Sequence, residues 1–138
     1  MDLTADELAL LQQAFDWARS GDVLSLSAYL DGGRPVDLTN DRGDTLLILA
    51  AYHVQGPAVE LLLGRGADVD RINDNGQTAL GAAVFRRSTD IVTRLLAAGA
   101  GVDIGPRSAR HVARFFGLDE MRQLLGDLPA TDEPAPAG

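Results

Sequence analysis

Apolar positions recur along the chain in short sets of similar spacing. Val59, Leu62 and Leu63 share one helical face, and Ile91, Leu95 and Leu96 do the same further on. Ahead of each set stands a patch of small residues, Ala50-Ala51 and then Gly81-Ala82-Ala83, which lets neighbouring helices approach closely. Gly33, Gly66 and Gly99 fall just past apolar helices, where a left-handed C-terminal cap favours glycine. Gly43 and Gly76 suit the turn before the next helix pair. Thr45, Thr78 and Ser108 then stand where a hydroxyl accepts from a free N–H of the first helical turn. Gly56-Pro57 reopens a helix, with proline where its missing N–H costs nothing. Near the start, Thr4-Ala5-Asp6-Glu7 has the form of a capping box and opens a longer helix through about Ala18. The pattern predicts pairs of short antiparallel helices joined by turns.

The spacing is a repeat. Gly43-Asp44-Thr45-Leu46-Leu47 returns as Gly76-Gln77-Thr78-Ala79-Leu80, 33 residues on. Leu62-Leu63-Gly64-Arg65-Gly66-Ala67-Asp68-Val69-Asp70 returns at the same step as Leu95-Leu96-Ala97-Ala98-Gly99-Ala100-Gly101-Val102-Asp103. Stepping back from Gly66, Val69 and Asp70 reaches Gly33, Val36 and Asp37. Forward, the step shortens to 30, so Ser108-Ala109 matches Thr78-Ala79, and Gly105-Pro106 is expected to make a tighter turn. The units run over about 4–39, 40–72, 73–105 and 106–128, one repeat domain within 1–128. Residues 129–138, rich in Pro and Ala, are expected to form a loose tail.

Gly-x-Thr-x-Leu followed by Ala-Ala, then Leu-Leu-x-x-Gly-Ala-Asp-Val-Asp, resembles the ankyrin repeat, and the likeness spans about 4–128. The chain departs from the family pattern in places. The proline after the threonine is replaced by Leu46, Ala79 and Ala109, and the histidine two places on survives as His111 alone. The Gly-His between the helices is Gly21-Asp22 and Gly117-Leu118 in the end units and is lost in the middle ones. The resemblance implies an all-α solenoid of stacked antiparallel helix pairs with β-turn fingers. It also implies a non-catalytic protein-interaction module that binds through its concave face.

In such a solenoid equivalent positions become neighbours. The inner end of each first helix then carries a stripe of Arg19, Tyr52, Phe85 and Phe115, with His53, Arg86 and Phe116 one place on. Aromatic residues and arginine are the anchor types expected of an interface, so Arg19, Tyr52, His53, Phe85, Arg86 and Phe115 are candidate partner-binding residues. The competing reading is that Phe115 and Phe116 close the core of the last unit. The turns add Asp41, Arg42, Asp44, Asp74, Asn75 and Gln77, for which a solvated role weighs as much as contact. Trp17 is expected to pack against the second unit, and His111 to bond within its own.

Charge and composition narrow the alternatives. With 20 acidic and 12 basic residues the net charge is −8 and the pI about 4.5, which disfavours binding to a phosphate backbone. Every basic residue is arginine, and cysteine is absent, which excludes disulfides, thiolate metal sites and a cysteine nucleophile. No apolar run is long enough to span a bilayer, and the acidic start lacks the character of an export signal. A monomeric cytoplasmic protein without cofactor, metal or catalytic residues is therefore expected. The two histidines lack metal spacing, and pairing His53 with Asp41 or Asp44 makes a poor catalytic constellation. Residues 1–39 sum to −5 and 106–128 to +1. That imbalance supports an alternative: an acidic inhibitor or immunity-type protein occluding a basic site on a toxin or nucleic-acid enzyme.

Overall fold

The computed structural model describes residues 3–128, so the tail expected at 129–138 lies outside the described residues. Eight helices follow one another there: α1 (Ala5–Ser20), α2 (Val23–Asp31), α3 (Leu46–Tyr52), α4 (Gly56–Gly64), α5 (Ala79–Phe85), α6 (Thr89–Ala97), α7 (Ala109–Phe115) and α8 (Asp119–Leu124). The described residues hold no strand, and the architecture is the all-α solenoid that the repeat predicts. Odd-numbered helices stack in the order α1, α3, α5, α7, and even-numbered ones in the order α2, α4, α6, α8.

Small residues set the spacing of the inner layer. Ala50, Ala83 and Ala113 occupy equivalent positions and are fully buried. At Gly81 the fit is closer still, since a Cβ there would meet the Arg107 carbonyl oxygen at 3.1 Å. The outer helices supply bulk. Leu62 and Leu95 are fully buried 33 residues apart, and burying each contributes about 2 kcal/mol. Trp17 is half-buried and meets Tyr29 of its own unit edge-on, with centroids 6.4 Å apart. Leu118, Met121 and Leu125 are buried at the far end.

Caps hold the short helices in register. The hydroxyls of Thr45, Thr78 and Ser108 each accept from the N–H three residues on, at 3.1 Å. At the C-terminal ends, Gly66 and Gly99 are left-handed, and Ala67 and Ala100 donate back to the carbonyls of Leu62 and Leu95. The capping box at Thr4 is half formed. The Thr4 hydroxyl accepts from the Glu7 N–H, but the Glu7 carboxylate accepts from that hydroxyl and not from the Thr4 backbone.

The turn inside each pair shows what the missing family glycine costs. Gly21, Val54, Arg87 and Gly117 are equivalent, and all four are left-handed, with φ of 78°, 59°, 58° and 63°. The stacking therefore imposes the conformation whether or not the residue favours it. For β-branched Val54 this is strained.

The two complete fingers close on themselves, Asn40 donating to Asp44 O and Asn73 to Gln77 O through their backbones. The third is shorter. Arg107 donates instead to Gly76 O of the preceding finger, as expected from three fewer residues.

Candidate functional site

The C-terminal ends of α3, α5 and α7 deliver the aromatic stripe to one surface. Tyr52 and Phe85 stack almost parallel, with centroids 6.3 Å apart and planes 9° apart. The line then continues through Phe116, which meets Phe85 edge-on at 5.5 Å, and Phe115 meets Phe116 at 4.9 Å. These rings do not close the core. Tyr52, Phe85, Phe116 and Phe115 are 39, 45, 52 and 71% exposed. Among the described residues no inner helix follows α7, and its phenylalanines are exposed.

The rings line an apolar groove of about 450 Å³ whose walls include Tyr52, Phe85, Val112, Phe115 and Phe116. Gly81 and Ala82 form its floor, since their small side chains leave the space open. Gln77, Arg107 and His111 complete the lining. The expected bonding of His111 within its unit is not found: its imidazole is exposed, makes no hydrogen bond among the described residues, and stacks on Phe115 at 5.9 Å.

A second groove, of about 360 Å³, adjoins the first at Tyr52, Gln77 and Ala82. It is polar, lined by Arg19, Arg42, Asp44 and His53 together with Asn73 and Asn75. Arg19 pairs with Asp16 at 2.8 Å, and its carbonyl accepts from the Gln55 side chain. His53 caps α3 with its ring edge against Tyr52. Partial burial, followed by the charges of Arg19 and Arg86, holds its imidazole below the ordinary pKa of 6.5. The Arg86 guanidinium lies over the Tyr52 ring, 5.5 Å from the centroid.

The finger candidates divide by what holds them. Asp44 and Gln77 are tied down, because the Asn73 amide donates to Asp44 Oδ1 at 2.8 Å and to Gln77 Oε1 at 3.0 Å. Asp74 is exposed and its side chain lines neither groove; its N–H donates to Arg42 O and joins the two fingers. Asp41 lies on the far side of the first finger, beside Arg19, Leu8 and Phe15. Two residues missed from the sequence organise these turns. Asn40 Oδ1 accepts from the N–H groups of Arg42 and Asp44, and Asn73 Oδ1 from those of Asn75 and Gln77. Their 33-residue separation was the available signal. Phe116 and Arg107 were also outside the candidate set.

Among the described residues no cluster of His, Cys, Asp or Glu could hold a metal ion, and no helix is long and apolar enough to cross a membrane. The exposed aromatic line lies beside the polar turns on the inner face of a stacked-helix repeat fold.

The chain belongs to the ankyrin repeat family: the family model for ankyrin repeats, in three copies, matches residues 15–108. Ankyrin repeats are generally protein–protein interaction modules. Over 60 residues the chain is 41% identical to PA3287 of Pseudomonas aeruginosa, a protein named for its ankyrin repeats, covering 44% of this chain and 35% of that one. The crystal structure of the human ASB11 ankyrin repeat domain is similar at a TM-score of 0.73 and 25% identity, covering 86% of this chain and 54% of that one. The chain thus spans about a third of the bacterial relative and about half of the human domain.

Proposed function

We propose that the concave face binds a partner protein, without catalysis, through the stripe of Tyr52, Phe85 and Phe115 extended by Phe116. The observation that carries this reading is the continuous line of exposed rings. Single exposed apolar residues are ordinary, but a contiguous aromatic patch rimmed by polar groups marks an interaction surface. The face is held by buried helices and closed fingers, so little ordering entropy is lost on binding. Arg19, Arg42, His53, Arg86, Asn75 and Gln77 form the polar rim, with Asp41, Asp44 and Asp74 on the fingers.

The acidic-inhibitor reading is the weaker one. Asp16 and Asp31 are paired with Arg19 and Arg65, Asp22 caps α2, and Asp37 accepts from the Asp68 N–H. Much of the N-terminal acidity is thereby used inside the fold.

Tyr52→Ala and Phe85→Ala test the proposal against a partner recovered with the wild-type protein. Truncating a buried aromatic costs about 3–5 kcal/mol of stability. Losing an exposed anchor leaves folding nearly intact and weakens binding by about 2 kcal/mol or more. Both variants are expected to fold, by circular dichroism and urea titration, and to lose capture. Unfolding of both, or capture at full strength, would overturn the assignment.

A further inference from the structure

We propose that the concave face selects an acidic peptide segment: an apolar side chain seated among Phe85, Phe115 and Phe116, with neighbouring carboxylates bound by Arg42, Arg86 and Arg107. This rests on the concave face being the binding surface, and adds the chemistry of the occupant.

The arginines differ in how they are partnered. On the outer helices and at the C-terminal end they are neutralised within the fold. Arg65 pairs with Asp31, and Arg94 with Glu60 and Asp90. Arg110, Arg114 and Arg122 converge on Asp127, whose side chain is 4% exposed. The inner face is different. Arg19 there is paired with Asp16, but Arg42, Arg86 and Arg107 are exposed and form no salt bridge among the described residues. Arg34, Arg71 and Arg87 form none either, and what distinguishes the inner three is that they gather beside the two grooves.

Arginines 19, 42 and 107 line the two adjoining grooves, against one lining carboxylate, that of Asp44. That carboxylate already accepts from the Asn73 amide. On a chain of net charge −8, the two grooves thus hold more arginine than carboxylate. Arg107 stands at the apolar groove itself, and that groove has no acidic lining residue. Arg86 lines neither groove, but its guanidinium lies over Tyr52, a residue that both share. The apolar groove's volume of about 450 Å³ is within the ~300–1,000 Å³ of ligand clefts. Complementarity requires apolar bulk with acidic flanks. A basic partner fits less well, because the arginines at the grooves repel lysine.

The test is a selection from a random dodecapeptide display library on the wild-type protein. Synthetic copies of the enriched peptides are then titrated by fluorescence anisotropy against wild type, Arg86→Gln, Arg107→Gln, the double variant and Phe85→Ala. The replaced guanidinium groups are exposed, and Arg107 keeps its backbone bond to Gly76 O with any non-proline residue, so circular dichroism should show native folding. Enrichment of Phe, Leu or Trp flanked by Asp or Glu is expected. Affinity should fall about 2- to 5-fold with each glutamine and about tenfold with both, and should weaken further with added salt. Phe85→Ala should abolish binding. Peptides without acidic flanks, unmoved by salt and by the glutamine variants but lost with Phe85→Ala, would overturn the acidic partner and leave the concave face standing. Peptides indifferent to Phe85→Ala would overturn both. Failure to enrich any sequence would also overturn the proposal, as would concentration-dependent dimers dispersed by Phe85→Ala, which would make a second copy the occupant.

Discussion

The α3–α4 pair with its finger and the α5–α6 pair with its finger trace equivalent backbone paths through different side chains. Asn40 and Asn73 organise the fingers, Thr45 and Thr78 cap the inner helices, and Gly66 and Gly99 end the outer ones. Those positions are fixed because the backbone needs a particular hydrogen bond or a left-handed φ there. Elsewhere the pairs diverge. Ser88 caps α6 by accepting from the Ile91 N–H, whereas Gln55 makes no cap and sends its amide to the Arg19 carbonyl. At the inner surface Tyr52 and His53 correspond to Phe85 and Arg86. Variation reaches the interior too, where buried Ile48, Leu49 and Ala51 correspond to buried Gly81, Ala82 and Val84, so the units share a backbone path rather than a fixed core.

The fixed positions should not be equally costly to lose. Asn73 is 8% exposed, and its amide makes four hydrogen bonds, one of them to the side chain of Asp44 in the adjacent finger. Asn40 is half-buried, and its amide accepts two. Asn73→Ala is therefore expected to cost about 2–3 kcal/mol in urea unfolding, and Asn40→Ala about 1 kcal/mol. Equal losses would mean that the bond between fingers contributes nothing beyond each turn.

A smaller effect of opposite sign is expected at the turn between helices. Val54 and Arg87 are left-handed at equivalent positions, and Val54 is 42% exposed, so little packing is lost with its side chain. Restoring glycine relieves the clash at the Cβ but loosens the unfolded chain. Val54→Gly should raise stability by about 1 kcal/mol, read as a higher thermal midpoint. Arg87→Gly should gain about half as much, because arginine is not branched at Cβ. A loss at Val54 would show that its exposed methyl groups contribute more than the turn costs.

The same distinction explains what could be read from the sequence. Caps, C-terminal glycines, the 33-residue step and the shorter third finger were legible because each is a local backbone requirement met by a restricted set of residue types. The stripe was legible because equivalence in a repeat becomes adjacency in space. The role of Phe116 was not. It depends on the ring of Phe116, one place past the repeat-equivalent Phe115, reaching back across the inner layer to meet Phe85, a contact that the 33-residue equivalence does not contain. Arg107 was missed for a related reason: three deleted residues draw its turn against Gly76 and place its guanidinium at the groove. The tie from Asn73 to Asp44 is a contact between fingers, which a single-unit reading does not contain.

The smallest expected effect concerns pH, and it separates the two units by one residue. His53 carries an imidazole where the next unit carries the Arg86 guanidinium. Burial and the charges of Arg19 and Arg86 hold His53 below its ordinary value of 6.5 in the folded protein. The unfolded chain therefore binds the proton more readily, and stability is lost as pH falls through 6.5 toward the folded pKa. The imidazole resonances of His53 should accordingly titrate below 6.5. Replacing it with glutamine should remove a small part of the decline in urea midpoint between about pH 7 and pH 5. Arg86→Gln should move the His53 titration upward by removing one repelling charge, which a burial effect alone would not do. A His53 titration unmoved by that variant would leave burial and the Arg19 charge as the causes and would sever the electrostatic link between the second and third units.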